Sequence, residues 1–344
     1  MSAKLVQVAA EVGVSVSTAS RAFSRPDLLS LGTVQRVLEA ADRLGYQPNR
    51  FARALITGRS MNLGLIVPDI ANPFFPPLIK SAQQCARRHG YSLYLANGNE
   101  DPDEEQAVLK HFGGQVDGLV LCSPRIAVNR VRELVDDLPV VLVNRVAKDM
   151  PSVLIDTTTG MREAVDHLSA LGHQEIVYVA GPRRSWSNSE RLRAVRDQCT
   201  HSDIRLHVVG PYVSSREAGF HAAERILATQ ATAVIAFDDL LAVGVCSGLS
   251  SAGLVIPRDM SVIGCDDVVA EHALPALTSI GGGADIAGQV GVEMLLSILA
   301  QPIAAYHSRT TLSTSLVLRS STAAPPPGQV RLAQAGSRLE AVRK

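Results

Sequence analysis

Short apolar runs alternate with helical segments from Met61 to about Ser321, and this alternation restricts the fold more than any other feature of the chain. A run such as Val140–Val143, in which every residue is apolar, is typical of a strand that helices cover on both faces. Such strands, separated by helices, predict parallel βα units and therefore an α/β body. The strand candidates are Leu63–Val67, Ser92–Ala96, Gly118–Cys122, Val140–Val143, Val153–Ile155, Ile176–Ala180, Leu206–Val209, Ala233–Phe237 and Ser261–Gly264.

The body divides into two similar halves, each expected to be a doubly wound parallel sheet. The first predicted subdomain covers residues 62–156 with about 283–310, and the second covers 157–282 with about 311–321. We interpret Gly281–Gly283 as a flexible crossover, followed by a helix over Ala284–Leu299 and one last strand over Leu312–Leu318. The tail, residues 322–344, contains three consecutive prolines and is predicted to be disordered.

Residues 1–47 are predicted to form a small all-α head with a helix-turn-helix. Helices over Leu5–Val12 and Ser17–Phe23 are joined at Gly13, which can take the positive φ of a tight turn. Ser15 is a good N-cap for the second helix, and a third helix is expected from about Thr33 to Leu44. A short hinge helix and linker, residues 48–61, connect this head to the body.

The charge of the chain is unevenly distributed between head and body. Lys+Arg 33 and Asp+Glu 33 give a formal net charge of zero, but residues 1–60 hold eight basic and four acidic groups, a net of +4. The remainder therefore carries 25 basic and 29 acidic groups, a net of −4. Because phosphate binding needs Lys and Arg, a basic head on an acidic body favours DNA binding by the head alone.

The outward positions of the second helix are short or basic, as a helix that reads base edges in the major groove requires. Leu55, at the end of the hinge, suits a wedge in a minor-groove step, although a single leucine at such a position is more often part of a core. A three-helix decoration on an enzyme is the alternative interpretation of the head. The candidate DNA-binding residues are Val16, Ser17, Thr18, Ser20, Arg21, Asn49, Arg50, Arg53 and Leu55.

These motifs resemble the LacI/GalR family of bacterial transcriptional repressors over about residues 3–321. In the head the resemblance is carried by Val8-Ala9, Gly13-Val14-Ser15, Ser17-Thr18, Ser20-Arg21, Leu44-Gly45-Tyr46, Pro48-Asn49, Ala52-Arg53, Leu55 and Gly58-Arg59-Ser60. In the body it is carried by Gly64–Ile70, Asn72–Phe75, Leu171–His173, Glu190–Leu192, Asp239–Ala242, Gly244, Val262–Gly264, Asp266-Asp267 and Leu277-Thr278.

The resemblance implies a homodimer whose paired heads read a near-palindromic operator on double-stranded DNA. It also implies a periplasmic-binding-protein-like body with a small effector in its cleft, a sugar, sugar phosphate or nucleoside, whose binding changes operator affinity. Several positions depart from the family pattern, among them the uncharged start of the third helix, Leu31-Gly32-Thr33-Val34, where the family usually has a polar run. Ile56 stands where several members have Lys, Thr157 replaces the common Asn, and Asp238 replaces an Asn before Asp239.

Ligands of doubly wound sheets bind at the carboxyl ends of the strands, so the loops after the strands contain the candidate effector site. Carboxylates, amides, an arginine and aromatic rings in these loops suit a polyhydroxylated ligand. The same loops contain Asn144 and Asp238. The candidate effector-binding residues are Asp69, Asn72, Phe74, Arg145, Asp156, Trp186, Ser187, Asn188, Arg191, Tyr212, Asp239 and Asp266.

The sequence lacks the motifs of an enzyme or a secreted protein. It contains no G-x-x-x-x-G-K-[ST] loop, no G-x-S-x-G elbow and no H-E-x-x-H pair, so we predict no catalytic activity, no cofactor and no metal. Five scattered cysteines are interpreted as small buried side chains, and the absence of an apolar leader predicts a cytoplasmic protein. The alternatives are a solute-binding protein of the same body fold without a transcriptional role, and an α/β enzyme with a helical appendage.

Overall fold

The computed structural model describes residues 4–46, 59–135, 137–301 and 308–327. The chain forms two compact units, Met1–Asn62 and Leu63–Lys344. Within the described ranges, no helix is long and apolar enough to cross a membrane.

The head contains three helices, α1 (Leu5–Val12), α2 (Val16–Ser24) and α3 (Leu31–Arg43), with a 3-10 turn at Pro26–Leu28. Gly13 takes a φ of 71°, so the chain turns where only glycine does so without strain. The hydroxyl of Ser15 accepts a hydrogen bond from the N–H of Thr18 at 3.0 Å, which confirms the predicted cap. The core of the head consists of Val8, Ala9, Ala19, Ala22, Val37, Ala40 and Ala41.

The hinge predicted over residues 48–61 falls almost entirely on residues that the structure does not describe. Residues 47–58 lie outside the described ranges. The roles predicted for Asn49, Arg50, Arg53 and Leu55, and the departure at Ile56, therefore stay predictions.

The body contains two six-stranded sheets with the same internal order. The first sheet runs β11-β5-β4-β3-β1-β2 and the second β12-β10-β9-β8-β6-β7. One edge strand of each sheet, β11 or β12, comes from the C-terminal segment of the chain. When the other five strands of each half are numbered in chain order, both halves have the doubly wound order 2-1-3-4-5, which confirms the predicted fold class. The strands are β1 (Asn62–Val67), β2 (Ser92–Asn97), β3 (Gly118–Cys122), β4 (Val140–Val143), β5 (Ser152–Asp156), β6 (Glu175–Val179), β7 (Arg205–Val209), β8 (Ala233–Ala236), β9 (Ser261–Asp266), β10 (Thr278–Gly281), β11 (Arg309–Ser313) and β12 (Ser315–Val317).

Helices follow the strands and bury one apolar face each, because period-3.6 apolar residues must pack on the sheet or on a neighbouring helix. All five cysteines are buried and unpaired, so they pack as small apolar side chains. The helices of the body are α4 (Phe75–Arg88), α5 (Pro102–Phe112), α6 (Val128–Val135), α7 (Thr157–Ala170), α8 (Trp186–His201), α9 (Arg216–Leu227), α10 (Asp239–Ser251) and α11 (Ala284–Ala300).

The return of the chain between the halves differs from the prediction. The single strand expected over Leu312–Leu318 is two strands: β11 pairs in parallel with β5 of the first sheet, and β12 pairs antiparallel with β10 of the second. Residues 311–313 therefore belong to the first sheet, which corrects the predicted boundary at 310/311. β10 includes Gly281, so part of the expected flexible crossover is a strand. It forms because β9 and β12 pair with it on either side, and the local composition does not reveal these neighbouring strands.

The predicted disorder of the tail is wrong for its first residues. Nε2 of His167 lies 3.0 Å from the hydroxyl of Thr322, and the N–H of Ala323 donates to the hydroxyl of Ser261 at 3.0 Å. Nε2 of His173 lies 3.0 Å from the carbonyl oxygen of Ala323. Fixed polar partners on the body therefore hold this segment despite its proline-rich composition, and residues 328–344 lie outside the described ranges.

Helices α9 and α10 approach so closely that glycine is required at the contact. A Cβ atom at Gly244 would lie 2.1 Å from the backbone oxygen of Arg216, and one at Gly219 would lie 2.3 Å from that of Leu241. Both neighbours are backbone atoms, which cannot move by a change of rotamer. The pair of glycines thus sets the spacing of two helices that cover the second sheet.

We predict that Gly244→Ala destabilises the body by about 1–3 kcal/mol, because the added methyl group forces the two helices apart. Denaturant unfolding monitored by circular dichroism measures the change. Ser250→Ala, an exposed position of the same helix, is the matched control and should change stability by less than about 0.5 kcal/mol. An unchanged unfolding midpoint in Gly244→Ala would contradict the close contact.

Candidate functional site

A cleft of about 390 Å³ lies where the carboxyl ends of strands from both sheets face each other. In each half the strand order reverses between the first and third strands, β1 and β3 in one and β6 and β8 in the other. Such switch points separate the loops and leave a crevice for a ligand. The cleft is lined by Asn72, Phe74, Phe75, Glu100, Ser123, Arg125 and Asn144 from the first half, and by Ser185, Ser187, Arg191, Ser214, Phe237 and Asp266 from the second.

The guanidinium of Arg191 is the most highly connected group of the cleft. Its Nε donates to the hydroxyl of Thr157 at 3.1 Å, and one Nη donates to the carbonyl oxygen of Phe237 at 2.5 Å. The other Nη donates to the carboxylate of Asp266 at 2.7 Å. The two charged side chains are only 5% and 7% exposed. Three of the five N–H donors of arginine are thus used by the protein, which leaves two for a ligand.

The environment of Arg191 keeps it charged despite its burial. Burial by itself lowers the pKa of a guanidinium, but the carboxylate of Asp266 opposes this effect, and the pKa of Arg191 is raised overall. The guanidinium carbon also lies 4.7 Å from the ring centroid of Phe237, a distance at which the aromatic face attracts a cation. The cleft therefore contains a fixed positive charge with free donors.

Four residues of the cleft wall, among them Glu100 with a φ of 56°, adopt a backbone conformation that residues other than glycine rarely take. Ser123 has a φ of 45°, Asn144 a φ of 52° and Asp266 a φ of 97°, and each lies at or just after the carboxyl end of a strand. The amide oxygen of Asn144 accepts the N–H of Ile155 at 3.1 Å, which holds its turn in place. Strained residues at strand ends cluster at binding sites, and here these residues line the crevice.

A chain of hydrogen bonds crosses the cleft from one half to the other. The amide of Asn72, after β1, donates to the hydroxyl of Ser214 at 2.9 Å, and that hydroxyl donates to the carboxylate of Asp238. Asp238 also caps α10 by accepting the N–H of Leu241 at 2.9 Å. The two departures from the family pattern in this half, Thr157 and Asp238, thus both orient residues of the cleft wall.

The wall formed by the first half contains a second arginine, which the sequence analysis missed. Arg125 donates through Nη2 to Oε1 of Glu100 at 2.7 Å and through Nε to Oε2, in a forked ion pair. Its Nη1 donates to the carbonyl oxygen of Ser123 at 2.6 Å. Glu105, just behind this pair, accepts the N–H groups of Arg125 and Ile126 at 2.7 and 3.1 Å.

The structure brings five of the twelve predicted effector residues to the cleft wall. These are Asn72, Phe74, Ser187, Arg191 and Asp266.

The other seven predicted residues are not among those that line the cleft, and their roles in effector binding stay predictions. Asp69 and Asp156 accept backbone N–H groups in turns and caps, and Asp239 accepts from Ser279 and from the loop at 268–269. The physical reason is that a short polar residue after a strand can cap the next helix as readily as it can face the crevice. The remaining four are Arg145, Trp186, Asn188 and Tyr212, of which Asn188 accepts from Tyr178 and Gly181.

The wall also contains residues that the sequence analysis did not select. Ser123 and Arg125 lie in the loop that follows β3, and this position could have identified them as candidates. No sequence feature near Ser214 indicates that it lines the cleft. The unselected residues are Phe75, Glu100, Ser123, Arg125, Ser185, Ser214 and Phe237.

The head presents the predicted recognition surface on α2. Val16, Ser17 and Arg21 are exposed, and Thr18 and Ser20 are half-buried. The hydroxyl of Ser15 lies 2.8 Å from the hydroxyls of both Ser17 and Thr18, so the start of this helix is a compact hydroxyl cluster.

Two other arginines of the head are used internally. Arg36 donates to the carbonyl oxygen of Val12 at 2.9 Å, and Arg43 pairs with Glu11 at 2.9 Å. Within the described part of the chain, no carboxylate pairs with Arg21. Its guanidinium is therefore available to an external acceptor.

We predict that Asp238 makes the body less stable as the pH rises from about 4 to 6. Burial, with a further contribution from Asp266, raises the pKa of this carboxyl to about 6, although Leu241 and Ser214 act in the opposite direction. The unfolded carboxyl has a pKa of about 3.9. Between these values the folded state holds a proton that the unfolded chain has released, so stability falls as the pH rises.

Asp238→Asn removes this titration and keeps an oxygen for the helix cap. The free energy of unfolding of the variant minus that of the wild type should increase between pH 4 and pH 7, as measured by urea titrations at each pH. A difference that does not change with pH would contradict the raised pKa.

Comparisons with known proteins agree with this architecture. Residues 4–49 match the family model described as bacterial regulatory proteins, lacI family, and residues 165–322 match the periplasmic binding protein-like domain. Catabolite control protein A of Priestia megaterium is 30% identical over 329 residues, which cover 92% of this chain and 96% of the relative. The HTH-type transcriptional repressor CytR of Escherichia coli K12 is 30% identical over 338 residues, which cover 94% and 97%.

Solved structures extend the similarity. The lac repressor dimer bound to operator and the anti-inducer ONPF has a TM-score of 0.83 at 26% identity, covering 94% of this chain and 100% of that one. A LacI family transcriptional regulator from Enterococcus faecium with bound ribose has a TM-score of 0.69 at 26% identity, covering 76% and 99%. CytR is a transcriptional repressor, and the Enterococcus faecium protein is a transcriptional regulator. With a helix-turn-helix head and two doubly wound sheets that match these proteins over nearly their whole length, the chain belongs to the lacI family of bacterial regulatory proteins and is a DNA-binding transcriptional regulator.

Proposed function

We propose that the protein is a repressor that binds a near-palindromic operator as a homodimer, and that a small polar effector in the cleft of the body controls its affinity for DNA. The observation that carries this proposal is the buried Arg191–Asp266 ion pair, which faces a crevice and leaves arginine donors unused. A sugar, a sugar phosphate or a nucleoside offers the hydroxyl groups that such donors and carboxylates bind.

Aromatic side chains of the wall support a ligand with apolar C–H surfaces. Phe74 and Phe237 line the cleft from opposite halves, and the ring centroids of Phe74 and Phe75 lie 5.1 Å apart in an edge-to-face arrangement. A pyranose, furanose or base can stack on such rings while its polar edge meets Arg191. Ribose bound to the Enterococcus faecium relative supports this chemistry.

The coupling between effector and operator would act through the hydrogen bond from Asn72 to Ser214. A ligand that occupies the cleft competes for these groups or bridges them, so it favours one separation of the halves over another. If the operator favours a different separation in the same dimer, ligand and DNA influence each other's affinity by the same factor. The homodimer is supported by the lac repressor dimer, whose fold this chain shares.

The DNA-binding part of the proposal is tested by filter binding of the full chain to genomic fragments at two salt concentrations. A protein that neutralises several phosphates loses affinity steeply between about 50 and 200 mM salt. Affinity that does not respond to salt would contradict operator binding by the basic head. A solute-binding protein without a transcriptional role, the alternative interpretation, would retain no fragment under either condition.

We predict that Arg21→Ala relaxes base preference at one operator position by about 1–3 kcal/mol, because a bidentate contact to guanine is lost. Binding to a set of operators with single base changes measures the effect. Arg25→Ala, an exposed arginine just beyond α2, is the control and should weaken binding to all sequences equally. If base preference is the same in Arg21→Ala and the wild type, α2 is not the recognition helix.

A further inference from the structure

The charges that line the cleft cancel. Four of the described lining residues carry a charge at neutral pH, the carboxylates of Glu100 and Asp266 and the guanidinium groups of Arg125 and Arg191. Neither lysine nor histidine occurs among these residues. The formal charge of the wall is therefore zero, and the cleft has no surplus cation to neutralise a charged ligand.

Each of the two arginines is already paired with a carboxylate of the protein. Arg125, only 6% exposed, is held in the forked ion pair by Glu100 and by the carbonyl oxygen of Ser123. Arg191 is held by Asp266 and by the carbonyl oxygen of Phe237. A phosphate that approached either guanidinium would also meet its carboxylate, and like charges at such short range repel strongly in a partly dry site.

Glu100 is placed so that its charge reaches the cleft. Its backbone takes a φ of 56° and its N–H donates to the carbonyl oxygen of Pro68 at 2.8 Å, which fixes the turn after β2. Its side chain is 25% exposed, whereas that of Arg125 is nearly covered. The carboxylate, and not the guanidinium, is therefore the more accessible partner of this pair.

Helix N-termini, which bind phosphate in many proteins, offer little here. The first turns of α7 and α10 are capped by the carboxylates of Asp156 and Asp238. Helix α4 begins Phe75-Pro76-Pro77, and proline has no N–H to donate. At α8 the hydroxyl of Ser185 already accepts the N–H of Asn188 at 3.2 Å.

We infer that the cleft selects an uncharged polyhydroxylated effector, a free sugar or a nucleoside, and rejects its phosphate ester, and that Glu100 is the residue that determines this selectivity. The inference rests on the proposed function and narrows its effector class. A neutral hydroxyl can donate to Glu100 or Asp266 and accept from Arg191, so both signs of charge on the wall are used. A dianionic ester can use only the guanidinium groups and must approach both carboxylates.

The test is isothermal titration calorimetry of the full chain at pH 8, where phosphate monoesters are dianionic. The probes are matched pairs: ribose and ribose 5-phosphate, glucose and glucose 6-phosphate, cytidine and cytidine 5′-phosphate, adenosine and adenosine 5′-phosphate. The tightest ligand should be uncharged, and its own ester should bind at least ~100-fold more weakly.

Variants of Glu100 assign the selectivity to one side chain. Glu100→Gln removes the charge and frees Arg125, so it should reduce the preference for the uncharged ligand by ~10-fold or more. Glu100→Asp keeps the charge and should keep the preference. Glu104→Gln, at an exposed position in the first turn of α5 and outside the cleft wall, is the matched control and should leave it unchanged. The thermal midpoint of each variant without ligand shows that it is folded.

The outcomes separate this inference from the proposed function. An ester that binds as tightly as its uncharged parent, or more tightly, overturns the selectivity and leaves the effector site intact. An equal preference in Glu100→Gln and the wild type overturns the role of Glu100. If none of the compounds binds while operator DNA is still retained, both the effector site and the inference drawn from it fail.

Discussion

The guanidinium of Arg191 joins four segments that are far apart in the sequence, and the second half of the body depends on it. It ties α8 to the start of α7, to the end of β8 and to the end of β9 through Thr157, Phe237 and Asp266. A buried ion pair adds little net stability, but removal of one partner leaves an unpaired charge that costs about 3–5 kcal/mol. The pair therefore specifies the relative position of these strand ends more than it stabilises them.

The same side chain also supplies the chemistry of the site. Arg191 lines a crevice whose other wall belongs to the first half of the body, and a hydrogen bond from Asn72 to Ser214 joins loops of the two halves. A single neutral hydrogen bond is worth about 0.5–1.5 kcal/mol, so a ligand that contributes two or three of its own can change the balance between separations of the halves. A ligand-controlled switch needs one wall that is rigid and a connection between the halves that is weak. The Arg191–Asp266 ion pair provides the first, and the hydrogen bond from Asn72 to Ser214 provides the second.

The accuracy of the sequence-based predictions depended on whether the determining interaction is local. Leu5–Val12 and Val140–Val143 form the elements expected of them, with the same bounds, because apolar spacing and flanking turn residues act within a few positions. The polar strand Thr278–Gly281 was missed because its stability comes from β9 and β12. Asp69, Asp156 and Asp239 were predicted to bind the effector, and in the structure their carboxylates cap a helix or hold a turn or loop, since a carboxylate after a strand has two equally good uses.

The sequence by itself determined the division into a basic helical head and an α/β body, the doubly wound pattern of that body, and five of the residues that line its cleft. These features follow from composition and from periodicities shorter than one helix or strand. Only the tertiary structure decided that Glu100 pairs with Arg125 and that Ser214 meets Asn72, residues that are 25 and 142 positions apart. The physical reason is that such pairs form where separate loops converge at a sheet edge, and the charge balance of the cleft depends on which loops meet there.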